Sequence, residues 1–209
     1  MTEKINSTSD KEVIDLDVNE SNSVMDAKFS RQQFELAMVE KGLISQEFYE
    51  SGVLERFNLN KDNGHDSLKH ILIGSDRGGL HHLSSHVELG NKRTKIASSI
   101  GGFKKSSKPL SKHRSSQKIK ENGVYRAGDI VISSHENKRF IKRAGSTMFP
   151  NGWSTQDVLE AILNVADQDG ISAGEDDNMR IIHKSVVNGV NIEVITSNSN
   201  GKILTAFPI

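Results

Sequence analysis

The chain has 209 residues, 34% apolar and 26% charged, the proportions of a soluble globular protein with room for one well-buried domain and an appendage. No apolar run approaches the roughly 20 residues that a membrane span needs, and with no cysteine a disulfide framework, a thiolate metal site and a cysteine nucleophile are all excluded. Formal charge balances at +0, but residues 1–66 carry 14 acidic and 7 basic residues, whereas residues 92–143 carry 15 basic residues against Glu121, Asp129 and Glu136. A block that basic attracts polyanions through counterion release, so nucleic acid is the natural partner, although a solvated basic loop would have the same composition.

Residues 1–25 are polar and acidic, with too little apolar surface to offset the entropy of ordering them, and read as a linker or tail without a signal peptide. From Ser30, the residues Phe34, Met38 and Val39 recur at helical spacing, and Ser45 to Leu54 can form a second short helical turn. The Asn, Asp and Gly content of residues 58–66 predicts a loop. It divides the chain into an acidic leader, residues 1–66, and a core domain, residues 67–209. Within the core, residues 84–99 can be helical, residues 101–117 form a basic Gly, Ser and Lys loop, and residues 124–132 and 139–144 alternate like a pair of half-buried strands. Ser154, with Asp157 three residues later, opens an amphipathic helix through Val158, Ile162 and Val165. Residues 180–186, 190–196 and 202–207 are strands, with Asn188-Gly189 and Asn200-Gly201 as turns. Helices first and hairpins last predict an α+β fold and not a doubly wound sheet.

The side chains that can do chemistry are His70, the pair His81-His82 after Gly78-Gly79, Lys142 with Ser146 and Thr147, and Thr205 near the end. Two imidazoles and an ammonium suit a cyclising ribonuclease. One imidazole removes the proton of the ribose 2′-OH, the other protonates the leaving 5′-oxygen, and the ammonium neutralises the phosphorane. Imidazole titrates near pH 6.5, so each ring can start in either state close to neutrality. Gly78-Gly79, just before the His pair, would let backbone approach a phosphate. Each feature also has an ordinary structural reading: His70 precedes an apolar run, Lys142 is an exposed strand charge, and Ser146-Thr147 is a turn. His82 and His86 have the spacing of metal ligands on a helix, but Leu83 stands where a zinc hydrolase motif needs its glutamate, so no metal or cofactor is expected. A non-catalytic RNA-binding module built on residues 92–143 is the alternative, although that block holds only Phe103, Tyr125 and Phe140 as aromatics.

Read together, HILIG at His70, GGLH at His81, Lys142 with Ser146, and Thr205-Ala206-Phe207-Pro208 resemble the two histidines, the lysine and serine, and the terminal T-x-Y-P segment of the EndoU endoribonuclease family. STMFPNGWS, residues 146–154, is similar to a segment of the family's bacterial branch, and the resemblance covers about Leu68 to Ile209. It implies an EndoU-like nuclease core with His70, His81 and Lys142 catalytic. Ser146, Thr147, Thr205, Phe207, Gly79 and His82 would line the substrate. Phe207 departs from the family's tyrosine and removes a hydroxyl. The resemblance further implies a toxin released from a large secreted protein into the cytoplasm of a target bacterium. Such a toxin cleaves RNA, with tRNA the expected class, and is neutralised by a cognate immunity protein.

Overall fold

The computed structural model describes residues 30–60, 65–74, 78–89, 95–96, 121–127, 130–133, 139–142, 146–173 and 180–209. The expected N-terminal tail and the basic loop of residues 101–117 lie outside the described residues. Residues 30–40 form α1. It is followed by α2 (Gln46–Glu50), whose Ser45 cap accepts from the Phe48 amide, and by a 3-10 turn over Val53–Arg56. Asp66 opens α3 (Ser67–Leu72) by accepting from the Leu68 and Lys69 amides, two of the donors that a helix start leaves without intrahelical partners. α4 (Leu83–Leu89) comes next.

Among the described residues nine strands follow: β1 (Lys95–Ile96), β2 (Tyr125–Ala127), β3 (Ile130–Ser133), β4 (Arg139–Lys142), β5 (Ser146–Met148), β6 (Gly170–Ala173), β7 (Arg180–Val187), β8 (Val190–Ser197) and β9 (Ile203–Pro208), with α5 (Thr155–Ala166) between β5 and β6. They pair antiparallel as β1-β3-β4, β2-β5 and β6-β7-β8-β9. The fold is α+β, as the order of patterns predicts. The single strand expected over residues 124–132 is instead two, β2 and β3, and they belong to different sheets. The terminal meander has the expected turns and gains an edge strand, β6, that no strong alternation announces in its sequence GISA.

α5 carries the predicted capping box: the Ser154 hydroxyl accepts from the Asp157 amide, and the Asp157 carboxylate accepts from the Ser154 amide. Its inner face, with Val158, Leu159, Ile162 and Val165 fully buried, packs against the Val190, Ile192 and Val194 side of the meander. The same buried cluster takes in Leu68, Ile71 and Leu72 of α3, and also Phe34, Met38, Ile44, Leu54 and Phe57. Packing is therefore continuous across the expected boundary near Ser67. Among the described residues no helix is long and apolar enough to cross a membrane.

Candidate active site

His70 sits in the last turn of α3, and α3 packs against β9. The chain then doubles back so that residues 78–82 run beside the end of that helix. The Leu80 amide donates to the His70 carbonyl at 2.9 Å, and the His81 amide donates to the Ile71 carbonyl at 2.8 Å. A side chain at Gly79 would put its Cβ 1.8 Å from the His70 carbonyl oxygen, and its φ is +77°, so only glycine fits there. Leu80 has φ 61°, a costly conformation for leucine. It is held by the flanking hydrogen bonds and by complete burial of its side chain with Tyr125 and Met148. Gly79 and Leu80, directly before His81, thus form a strained, buried turn against the end of the His70 helix.

His81 is oriented from β5: its Nδ1 donates to the Thr147 carbonyl at 2.7 Å. With the proton of a neutral imidazole fixed on Nδ1, the basic lone pair is on Nε2. The Phe207 ring of β9 lies beside it, with centroids 5.8 Å apart and planes 34° from parallel. Thr205, two residues earlier on the same strand, shares the face of Phe207 and is half-buried. The structure brings His70, His81, Gly79, Ser146, Thr147 and Phe207 into one place, with Thr205 on the adjoining strand face. Lys142 ends β4 with Ile130 opposite it, and its side chain lies outside the described residues.

The structure gives four residues expected to line the substrate, His82, Gly79, Ser146 and Thr147, partners within the fold. His82 is fully buried, not substrate-facing. Its Nε2 donates to the Trp153 carbonyl at 3.0 Å, and its Nδ1 accepts from the Ser85 hydroxyl at 2.7 Å, which in turn accepts from Thr155 at 2.8 Å. Burial holds the pKa of this imidazole below its ordinary value, against the opposing pull of the Trp153 carbonyl and Asp157. Gly79 owes its need for glycine to the contact with the His70 carbonyl. Ser146 is almost wholly buried and its hydroxyl donates to the Gly79 carbonyl at 2.8 Å, so it ties β5 to the His81 turn. Thr147, expected as a substrate contact, also orients His81 through its backbone.

His65 escaped the sequence reading. It is exposed, and its ring centroid lies 5.3 Å from that of His70, with the planes at 46°. The available signal was its place immediately before the Asp66 cap, which turns the preceding residue toward the helix. Tyr125, beneath the Leu80 turn, donates to the Asn151 side chain at 2.8 Å, and burial pushes its phenol up to about 12, so it is protonated at neutral pH and does not act as a base. Among the described residues no group of three His, Asp or Glu is arranged to hold a metal ion.

No curated protein and no solved structure matches the chain. A family model described as bacterial EndoU nuclease matches residues 64–209, a span that contains both histidines, the strained turn between them and the strands that flank His81. The chain belongs to the bacterial EndoU nuclease family, and it is an endoribonuclease.

Proposed function

We propose that this endoribonuclease cuts RNA by intramolecular transesterification, without a metal ion, leaving a 2′,3′-cyclic phosphate and a 5′-hydroxyl. The observation that carries the reading is the 2.7 Å hydrogen bond from His81 Nδ1 to the Thr147 carbonyl, because it prepares Nε2 of the neutral ring to accept a proton. His81 takes the 2′-OH proton as the 2′-oxygen bonds to phosphorus, and His70 gives its proton to the 5′-oxygen as the P–O5′ bond breaks. The Lys142 ammonium neutralises the charge that builds on the phosphorane. Thr205, Thr147 and Phe207 position the nucleotide, with Ser146 securing the Gly79 turn behind them. Phe207 holds a base by its ring face, without the hydroxyl that a tyrosine would add.

We further propose that the substrate class is tRNA. The enzyme acts as an antibacterial toxin, carried by a larger secreted protein into the cytoplasm of a target bacterium and neutralised by a cognate immunity protein. Membership of the bacterial branch supports this setting, and the basic block over residues 92–143 suits a folded polyanion. The test is incubation of the purified protein with total bacterial RNA in excess EDTA, beside His81→Ala, with mapping of product ends. Discrete tRNA fragments ending in 2′,3′-cyclic phosphate, made by the wild type alone, are expected. Loss of cleavage on chelation, or equal cleavage by the variant, would overturn the mechanism. Indiscriminate cleavage of ribosomal RNA would overturn the tRNA assignment alone.

A further inference from the structure

The helices before residue 60 lie outside the residues that the family model matches, yet they grip the helix that carries His70. Arg31 of α1 is 6% exposed and makes three contacts. Its Nη1 donates to Asp66 Oδ1 at 2.6 Å, its Nη2 to the Leu54 carbonyl at 2.9 Å, and its Nε to Glu35 at 2.7 Å. The same Asp66 oxygen caps α3 through the Leu68 and Lys69 amides at 3.0 and 3.2 Å. The other oxygen, Oδ2, is buried without a hydrogen-bond partner, with Lys69 Nζ 4.0 Å away. Lys69 Nζ reaches back to the carbonyl and hydroxyl of Ser30, at 3.1 and 2.8 Å.

A six-residue helix does not hold itself in water, so what fixes α3 fixes the direction of His70. A buried ion pair adds little net stability beyond what an apolar pair would give, but it admits one geometry. The N-terminal segment also reaches the other wall of the site. The Asn58 amide donates to the Ile203 carbonyl at the start of β9, and the Ser67 amide donates to the Asn58 carbonyl. Residues 30–60 thus tie the His70 helix to the strand that bears Thr205 and Phe207.

We propose that residues 30–60 are a brace of the active site, and that Arg31 is a positioning residue that aims His70 by way of Asp66. The inference rests on the reading of His70 as a catalytic group. Misplacement of a reacting group by about 1 Å can cost on the order of 100-fold in rate. The experiment measures kcat and KM for an RNA oligonucleotide with the full chain carrying Arg31→Met, in the wild-type and His70→Ala backgrounds, with the folded fraction measured by circular dichroism at the assay temperature. Per folded molecule, Arg31→Met is expected to lower kcat by roughly 10- to 100-fold with KM almost unchanged, and Arg31→Lys to recover part of it. In the His70→Ala background the same change should cost less than about threefold in residual rate, because residues acting through one group are not additive.

A folded Arg31→Met with wild-type kcat overturns the brace, as does an equal loss in both backgrounds, which marks a general weakening of the fold. If Arg31→Met does not fold, Arg31→Lys decides the matter. A kcat loss that disappears in the His70→Ala background supports the brace, and an unchanged kcat overturns it. Full activity of His70→Ala itself overturns the role of His70, whereas an inactive His70→Ala beside a fully active, folded Arg31→Met removes the brace alone.

Discussion

His81 and His82 are neighbours in the chain and stand in two different regions of the molecule. His81 stands between β5 and β9, where the Thr147 carbonyl orients its ring and Phe207 lies alongside. His82 belongs to the seam between α4 and the start of α5, where Trp153, Ser85 and Thr155 use both ring nitrogens in a closed chain of hydrogen bonds. His183, on the meander, has the second arrangement: Nδ1 donates to the Gln168 carbonyl and Nε2 accepts from Thr196. His82 and His183 each have partners for both ring nitrogens, and neither residue type nor the neighbouring sequence announces that arrangement.

The largest effect that separates the two regions is catalytic. His81→Ala is expected to cost about 100- to 10,000-fold in kcat, the usual range for a general acid or base, while the melting temperature stays close to wild type. A variant that cuts RNA within a factor of ten of wild type would erase the distinction. His82→Ala is expected to do the reverse. It leaves the Ser85 hydroxyl and the Trp153 carbonyl without their partner and opens a small void, for a loss of about 3 kcal/mol. At about 2–4 °C per kcal/mol for a chain of this size, melting should fall by roughly 6–12 °C. Activity per folded molecule should remain within a few-fold of wild type, and a specific loss of kcat at full folding would move His82 back to the site.

The same burial gives His82 a pH signature. Its folded pKa is held below the unfolded value of about 6.5 by desolvation. Above that value both states are neutral and the group contributes no pH dependence. As pH falls below it, the unfolded chain takes up a proton that the folded chain refuses. Stability is then lost at up to about 1.4 kcal/mol per pH unit until the folded pKa is reached. Urea unfolding between pH 7.5 and 5 should therefore show a steeper fall for wild type than for His82→Gln, which does not titrate. Equal slopes would show that the buried ring carries no such linkage.

What the sequence disclosed follows from where periodicity reaches. The meander and α5 were readable because Val190, Ile192 and Val194 alternate strictly and because Ser154 and Asp157 form a capping pair at fixed spacing. α3 was not readable: the run around His70, HILI, suits a strand as well as a helix, and the decision is made by Asp66, whose cap is held by an arginine 35 residues away. The split of residues 124–132 between two sheets is likewise settled by long-range pairing, Tyr125 with Met148 and Ile130 with Lys142. The resemblance points to His70 and His81, but the roles of Gly79 and Ser146 as packing for the turn, and of His65 as neighbour to His70, depend on contacts between segments that no local pattern encodes.

The smallest effect expected is also the finest test of the boundary between the two regions. Ser154 caps α5 and directly follows Trp153, whose carbonyl holds His82. Ser154→Ala removes the hydroxyl that accepts from the Asp157 amide and donates to the Asp157 carboxylate, a cap worth about 1 kcal/mol, and should lower the melting temperature by roughly 2–4 °C. Because the cap is joined to the His82 seam, its loss should be less than additive with His82→Ala, by about 0.5 kcal/mol or more, as for groups that share partners. It should be additive with His81→Ala, which is held from β5 and not from α5. A double-mutant cycle in thermal unfolding reads both. Coupling of Ser154 to His81 as strong as to His82 would mean that the surroundings of the two histidines are one cooperative unit, held together through the chain that joins them.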